Sequence, residues 1–188
     1  MAVSFIKADL PGTVIIEPAV FNDNRGYFME TYHYNRYAEN GINALFVQDN
    51  HSHSVKGALR GLHYQLKHPQ AKLIYVTRGE IFDVAVDIRR GSPFFGKYAA
   101  VVLSDRNKRQ FYMPAGFAHG FCVMSKEADV IYKCTDIYTP GDEYDIAWNS
   151  PDIAIDWPIM NPLLSDKDSS ALPLRDTPED HLPGCQDE

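Results

Sequence analysis

Apolar and polar residues alternate along most of this chain, with little of the three-to-four-residue spacing of an amphipathic helix. In Glu80-Ile-Phe-Asp-Val-Ala-Val-Asp-Ile88, Phe82, Val84, Val86 and Ile88 share one face of a strand, and Asp83 and Asp87 the other. The preceding run, 72–78, joined to it through Gly79, predicts a β-hairpin over 72–88. The same alternation predicts strands over 13–17, 45–53, 59–65, 97–103, 109–113, 118–124 and 129–138. Breaks rich in Gly, Pro, Asn and Asp separate them, among them Arg90-Gly-Ser-Pro93 and Thr139-Pro-Gly-Asp142. One helix is predicted over 31–41, capped by Thr31 and stopped by Gly41. From about Asp156 the alternation gives way to a Pro-punctuated segment. After Arg175 the chain is polar and is expected to be poorly ordered. The expected architecture is all-β: a jelly-roll barrel or sandwich with one or two short peripheral helices, built from residues 1–170, and a polar acidic tail over 171–188.

Composition narrows the function classes. With 188 residues, 45% of them hydrophobic, the chain can bury a sizeable single core. Its net charge of −7 argues against a nucleic-acid partner, which needs basic side chains to neutralise phosphates. The acidity is concentrated at one end. Residues after Arg175 contribute −5, leaving 18 basic against 20 acidic side chains, or −2, on residues 1–175. A small anionic ligand is therefore not disfavoured. The longest apolar run, Tyr98–Leu103, is far below the roughly 18 residues a membrane helix needs. Three cysteines without CxxC spacing, and an N-terminus without a basic region and long apolar stretch, are expectations for a cytoplasmic protein.

Several residues could carry chemistry. His51 and His53 form an HxH pair, and Pro114-Ala-Gly-Phe-Ala-His119 matches the second metal-binding motif of cupin barrels. The first cupin motif is missing: no Glu follows the HxH pair until Glu80, and the residue after His63 at that distance is Lys72, which has no lone pair to donate while charged. No metal is expected, and hydrogen-bonded strand histidines are the ordinary reading of His51 and His53. By strand parity Gln48 and Asn50 share a face opposite Asp49, His51 and His53. Tyr132, Cys134, Asp136 and Tyr138 share another face, and Lys72 heads an apolar stripe with Ile74 and Val76. Each also has an ordinary structural reading: half-buried Tyr and Asn are routine in sheets, and a terminal Lys commonly snorkels to water. In Leu59-Arg-Gly-Leu-His-Tyr-Gln65, strict alternation separates Arg60 from His63. A bulge at Gly61 would bring both toward one pocket.

Eight segments in order carry a family resemblance: Arg25-Gly-Tyr-Phe-Met-Glu30, Gln48-Asp-Asn50, Leu59-Arg-Gly-Leu-His-Tyr-Gln65, Lys72-Leu73, Gly79–Arg89, Pro114–Phe121, Tyr132-Lys133 and Leu164-Ser-Asp-Lys-Asp168. Over about residues 5–170 the chain resembles the dTDP-4-dehydrorhamnose 3,5-epimerase family. The resemblance implies a cupin jelly roll without metal or cofactor, a homodimer, and a dTDP-sugar substrate inverted at the two carbons flanking its 4-keto group. It implies His63 as general base, Asp168 as its orienting carboxylate, Lys72 beside the keto oxygen and Tyr132 as the acid on the opposite ring face. It further implies Arg25, Glu30, Gln48, Asn50, Arg60, His119, Glu143 and Lys167 as sugar and diphosphate contacts, and Tyr138 stacked on thymine. Three other functions compete: a single-position epimerase or keto-isomerase of another deoxysugar, a non-catalytic nucleotide-sugar binder, and a metal-dependent cupin oxygenase or isomerase.

Overall fold

Thirteen strands and two short helices are found in the computed structural model, which describes residues 2–185. In chain order they are β1 (Ser4–Lys7), β2 (Val14–Glu17), β3 (Val20–Asp23), β4 (Gly26–Met29), α1 (Tyr34–Ala38), β5 (Gln48–Val55), β6 (Leu59–Gln65), β7 (Lys72–Arg78), β8 (Glu80–Asp87), β9 (Tyr98–Ser104), β10 (Gln110–Met113), β11 (Phe117–Val123), β12 (Glu127–Cys134), β13 (Glu143–Asp145) and α2 (Asp166–Ser169). Two antiparallel sheets form, one ordered β1-β2-β10-β7-β12-β5 and the other β13-β6-β11-β8-β9, while β3 and β4 make a separate two-stranded hairpin. This is the expected cupin-type jelly roll with two short helices.

The core explains why so many strands are apolar on both faces. Ile74, Val76, Phe111 and Val130 of one sheet interdigitate with Ile81, Ala85, Val101 and Phe121 of the other to fill the sandwich. The outer face of the five-stranded sheet is also covered, where Leu62, Val84, Val86, Ile88 and Ala118 pack under Ile146, Ile153, Leu174 and Leu182. Outside the six-stranded sheet, Tyr37 of α1 and Ile42 lie over Ile16, Leu73 and Tyr112. A central strand with a cover on each side has no solvent face to keep polar.

Four expectations change. The hairpin predicted over 72–88 does not form: β7 pairs with β10 and β12, whereas β8 pairs with β11 and β9. Gly79 instead turns the chain from one sheet into the other, with φ 79° and so little room that an added Cβ would lie 2.0 Å from the Glu127 carbonyl oxygen. The helix is shorter than 31–41 and is capped by His33, whose ring nitrogen accepts from the Arg36 N–H; the Thr31 carbonyl is occupied by Gln110 and Tyr37. The strand predicted over 129–138 ends at Cys134, so Tyr138 lies in the following loop and shares no strand face with Tyr132.

Finally, the segment after Arg175 is packed as far as Cys185. Its Leu182, like Leu174 just before it, is buried in the outer cluster, the Tyr64 hydroxyl donates to the His181 carbonyl, and backbone hydrogen bonds join Arg90 to Pro183 and Cys185. One leucine in a polar stretch was too weak a signal to reveal this docking. Asp187 and Glu188 lie outside the described residues. No helix among the described residues is long and apolar enough to cross a membrane.

Candidate active site

The candidate site begins with a bulge. Along the β6–β11 ladder His63 lies opposite His119, but Arg60 lies opposite Phe121, so β6 spends one more residue than β11 over that stretch. Gly61 permits it: its φ is +128°, and a Cβ there would stand 2.5 Å from the Gly120 Cα. The extra residue cancels the alternation, and Arg60 and His63 line the same cavity.

That cavity, of about 400 Å³, opens between the two sheets. The five-stranded sheet contributes Arg60, His63, His119, Phe121 and Glu143; the six-stranded sheet contributes Gln48, Asn50, Ser52, Lys72 and Tyr132; Gln70 and Tyr138 close it from loops. A second space, sharing Arg60, His63 and Glu143, extends it toward Lys167 and Asp168. His63 and Tyr132 therefore stand on opposing sheets, with Lys72 on the same sheet as Tyr132.

His63 Nε2 lies 2.5 Å from Asp168 Oδ1. Asp168 is 4% exposed on α2, and its other oxygen accepts from the Ser165 hydroxyl. Burial pushes the Asp168 pKa up, but hydrogen bonds from His63 and Ser165 outweigh it and hold the carboxyl below its ordinary value. With an ionised Asp168 accepting at Nε2–H, the imidazole keeps its lone pair on Nδ1.

Lys72 is half-buried and makes no ion pair among the described residues. Burial drives its pKa down, opposed by Cys134, Glu143 and Asp83. Burial pushes the Tyr132 phenol up, so it stays protonated near neutral pH.

The remaining cavity residues are held from behind. Gln48 accepts the Tyr138 N–H and donates to Asn50, fixing that loop against β5. Arg60 Nε donates to Ser54. His119 Nε2 meets Asp83 Oδ2 at 2.9 Å, and Asp83, fully buried, has its pKa raised by burial against the opposing charges of His119 and Lys72. Lys167 pairs with Glu143 and with Asp145, the latter at 2.9 Å.

Two predicted residues are not brought to this cavity. Arg25, at the tip of the β3–β4 hairpin, is 85% exposed and pairs with Asp23; Glu30 pairs with Arg36 beside a separate hollow lined by Phe21 and Phe28. Conversely, two carboxylates that stand at the site, Asp83 and Asp145, are not among the sequence-predicted residues. Asp83 had a visible signal, a carboxylate inside an otherwise apolar strand, whereas Asp145 lies on β13, which no alternation announced. His51 and His53 do have their ordinary role: on the outer face of β5 both bond Asp129 Oδ1, at 3.1 and 3.0 Å. Among the described residues no three His, Cys, Asp or Glu side chains are grouped to hold a metal ion.

The whole chain has known relatives. The profile of the family described as dTDP-4-dehydrorhamnose 3,5-epimerase matches residues 7–176. The dTDP-4-dehydrorhamnose 3,5-epimerase of Methanothermobacter thermautotrophicus is 52% identical over 177 residues, 93% of this chain and 96% of that protein. The crystal structure of dTDP-6-deoxy-D-glucose-3,5-epimerase from Legionella pneumophila, in complex with dTDP-4-keto-L-rhamnose, superposes with a TM-score of 0.96 at 50% identity, covering 98% of this chain and 100% of that one. A 3'-monoepimerase from Streptomyces bikiniensis, in complex with dTDP-quinovose, superposes with a TM-score of 0.89 at 32% identity, covering 95% of this chain and 92% of that one.

Proposed function

Because the chain belongs to the dTDP-4-dehydrorhamnose 3,5-epimerase family, we propose that its cavity inverts carbons 3 and 5 of dTDP-4-dehydro-6-deoxy-D-glucose to give dTDP-4-dehydro-L-rhamnose, the isomerase step of dTDP-rhamnose biosynthesis. The observation that carries the proposal is the His63–Asp168 dyad facing Tyr132 across the cavity, with Lys72 on Tyr132's sheet. The 4-keto group acidifies both neighbouring C–H bonds, so the chemistry calls for a base, an enolate stabiliser and an acid rather than a redox cofactor.

His63 Nδ1 takes the proton from carbon on one ring face, and Asp168 balances the imidazolium that forms. The Lys72 ammonium stabilises the enolate oxygen. Tyr132 returns a proton from the other face, and the product has the inverted configuration. Arg60 and Lys167 suit the diphosphate, Tyr138 the thymine face, and Gln48, Asn50, His119 and Glu143 the sugar hydroxyls. All of these residues fall within 1–170, which we assign as the catalytic domain. Buried thiols at Cys122 and Cys134 that form no disulfide support a cytoplasmic location.

The similarity to a 3'-monoepimerase favours one alternative, inversion at a single carbon. Product analysis by NMR separates the two: inversion at both carbons is expected, and a product inverted at one carbon only would establish the alternative.

Arg25 and Glu30 bear on assembly. Their hairpin also carries Phe21, Tyr27 and Phe28, which are 58%, 54% and 70% exposed, an unusual apolar load for solvent. In the homodimer we propose, this hairpin crosses to the second subunit and presents Arg25 to that subunit's diphosphate. Mixing His63→Ala subunits with Arg25→Ala subunits then regenerates one complete site per hybrid dimer, and activity returns. If each hairpin serves its own subunit, no hybrid contains a complete site and the mixture stays at the level of its parents.

A further inference from the structure

Asp145 is a carboxylate with no part in the mechanism above, yet it lies directly opposite His63 in the β13–β6 ladder. Its Oδ1 stands 3.6 Å from His63 Nε2 and 2.9 Å from Lys167 Nζ. That oxygen is shut off from solvent, and the Lys167 ammonium is its near partner. Burial pushes the Asp145 carboxyl up, opposed first by the hydrogen bond from Lys167 and then by the charge His63 carries when protonated.

The charged and titratable groups facing His63 come from four elements: Asp168 and Lys167 from α2, Asp145 and Glu143 from β13, His119 from β11, and Arg60 from its own strand. Asp168 and Glu143 offset Lys167 and Arg60. Asp145 therefore leaves one surplus negative charge around the imidazole, which the imidazolium formed on C–H abstraction would cancel. Lys167 already has Glu143 as a partner, so anchoring it does not require Asp145.

We infer that Asp145 is a positioning residue that acts through His63 and Lys167, a second carboxylate that favours proton uptake by the base and sets the acid limit of the enzyme's working range. This rests on His63 being the base.

The test is the pH profile of kcat/KM, whose acid limb reports the base in the free enzyme. An opposite charge within about 4–6 Å favours the protonated imidazole by about one pH unit or more, so Asp145→Asn is expected to move the acid limb about one unit toward lower pH. Asp145→Glu, which keeps the charge, is expected to hold the wild-type limb. Asp145→Ser, a smaller neutral side chain, is expected to move the limb in the same direction as Asp145→Asn, and this second variant decides the matter if Asp145→Asn does not fold. A uniform loss of activity with an unmoved limb in either neutral variant would overturn the inference. A wild-type limb that persists in His63→Gln would instead overturn His63 as the base, and the inference with it.

Discussion

His63→Ala lowers kcat for epimerisation by roughly a thousandfold, in the range expected when a positioned general base is removed, and leaves KM little changed. Substrate affinity is expected to survive because the proposed diphosphate and thymine contacts are Arg60, Lys167 and Tyr138 rather than the imidazole. The variant also strips Asp168, 4% exposed, of its imidazole partner, leaving the Ser165 hydroxyl and the Gly61 backbone. Stripping a buried acceptor of one partner costs about 1–3 kcal/mol, so a modestly lowered melting temperature accompanies the loss of turnover. Steady-state kinetics with a thermal melt separates the two effects. A variant that folds as well as wild type and keeps wild-type kcat would remove His63 from the mechanism and favour a binding protein on the same barrel.

Lys72→Met has the opposite profile, low activity with no loss of stability. Removing a preorganised charge from a developing oxyanion costs about 10²–10³-fold in kcat. In the fold, however, the ammonium heads a stripe of Ile74 and Val76, and burial disfavours its charged form. A lysine whose pKa is lowered in the folded state penalises folding wherever the unfolded chain would carry the charge, that is, below its ordinary value of 10.5. Methionine fills similar volume without that penalty. The variant is expected to be at least as stable as wild type at pH 7, with the advantage shrinking as pH rises toward 10.5. Chemical denaturation across that pH range, beside kcat at neutral pH, checks both halves. A clear destabilisation at pH 7 would mean that Glu143 and Asp83 balance Lys72 more fully than burial penalises it.

Much of this molecule is legible in its residues, for reasons that differ by element. β6 and β7 coincide with the spans predicted for them: Leu73–Thr77 of β7 is apolar or β-branched and ends at Gly79, whereas β6 is marked by the breakers Gly57 and Pro69 around a run whose polar residues serve the cavity. Parity on β5 holds, with Gln48 and Asn50 lining the main cavity and the His51 and His53 rings bonded to Asp129 on the other face. Parity failed where the backbone departs from two-residue alternation. At Gly61 the departure could be anticipated, because glycine in a strand marks a bend; at Tyr138 it could not, because the loop is fixed by a side chain distant in sequence, Gln48. The pairing of β7 and β8 with different sheets was invisible for a similar reason: two apolar runs joined by one glycine look alike whether the turn closes a hairpin or rounds the corner of a sandwich. Asp168 could be tied to His63 only through the family resemblance, since 105 residues separate them and nothing local links the two. Asp145 depends on the short edge strand β13, three residues long and half-buried, whose pattern is too brief to register.

In the proposed mechanism one cavity removes a proton from the carbon on each side of the ketone and delivers a different, solvent-exchanged proton to the opposite face. Conversion of dTDP-4-dehydro-6-deoxy-D-glucose in D₂O, followed by NMR, tests this most directly. Deuterium at both carbon 3 and carbon 5 of dTDP-4-dehydro-L-rhamnose is the predicted result. Label confined to one carbon, or inversion without any label from solvent, would contradict it.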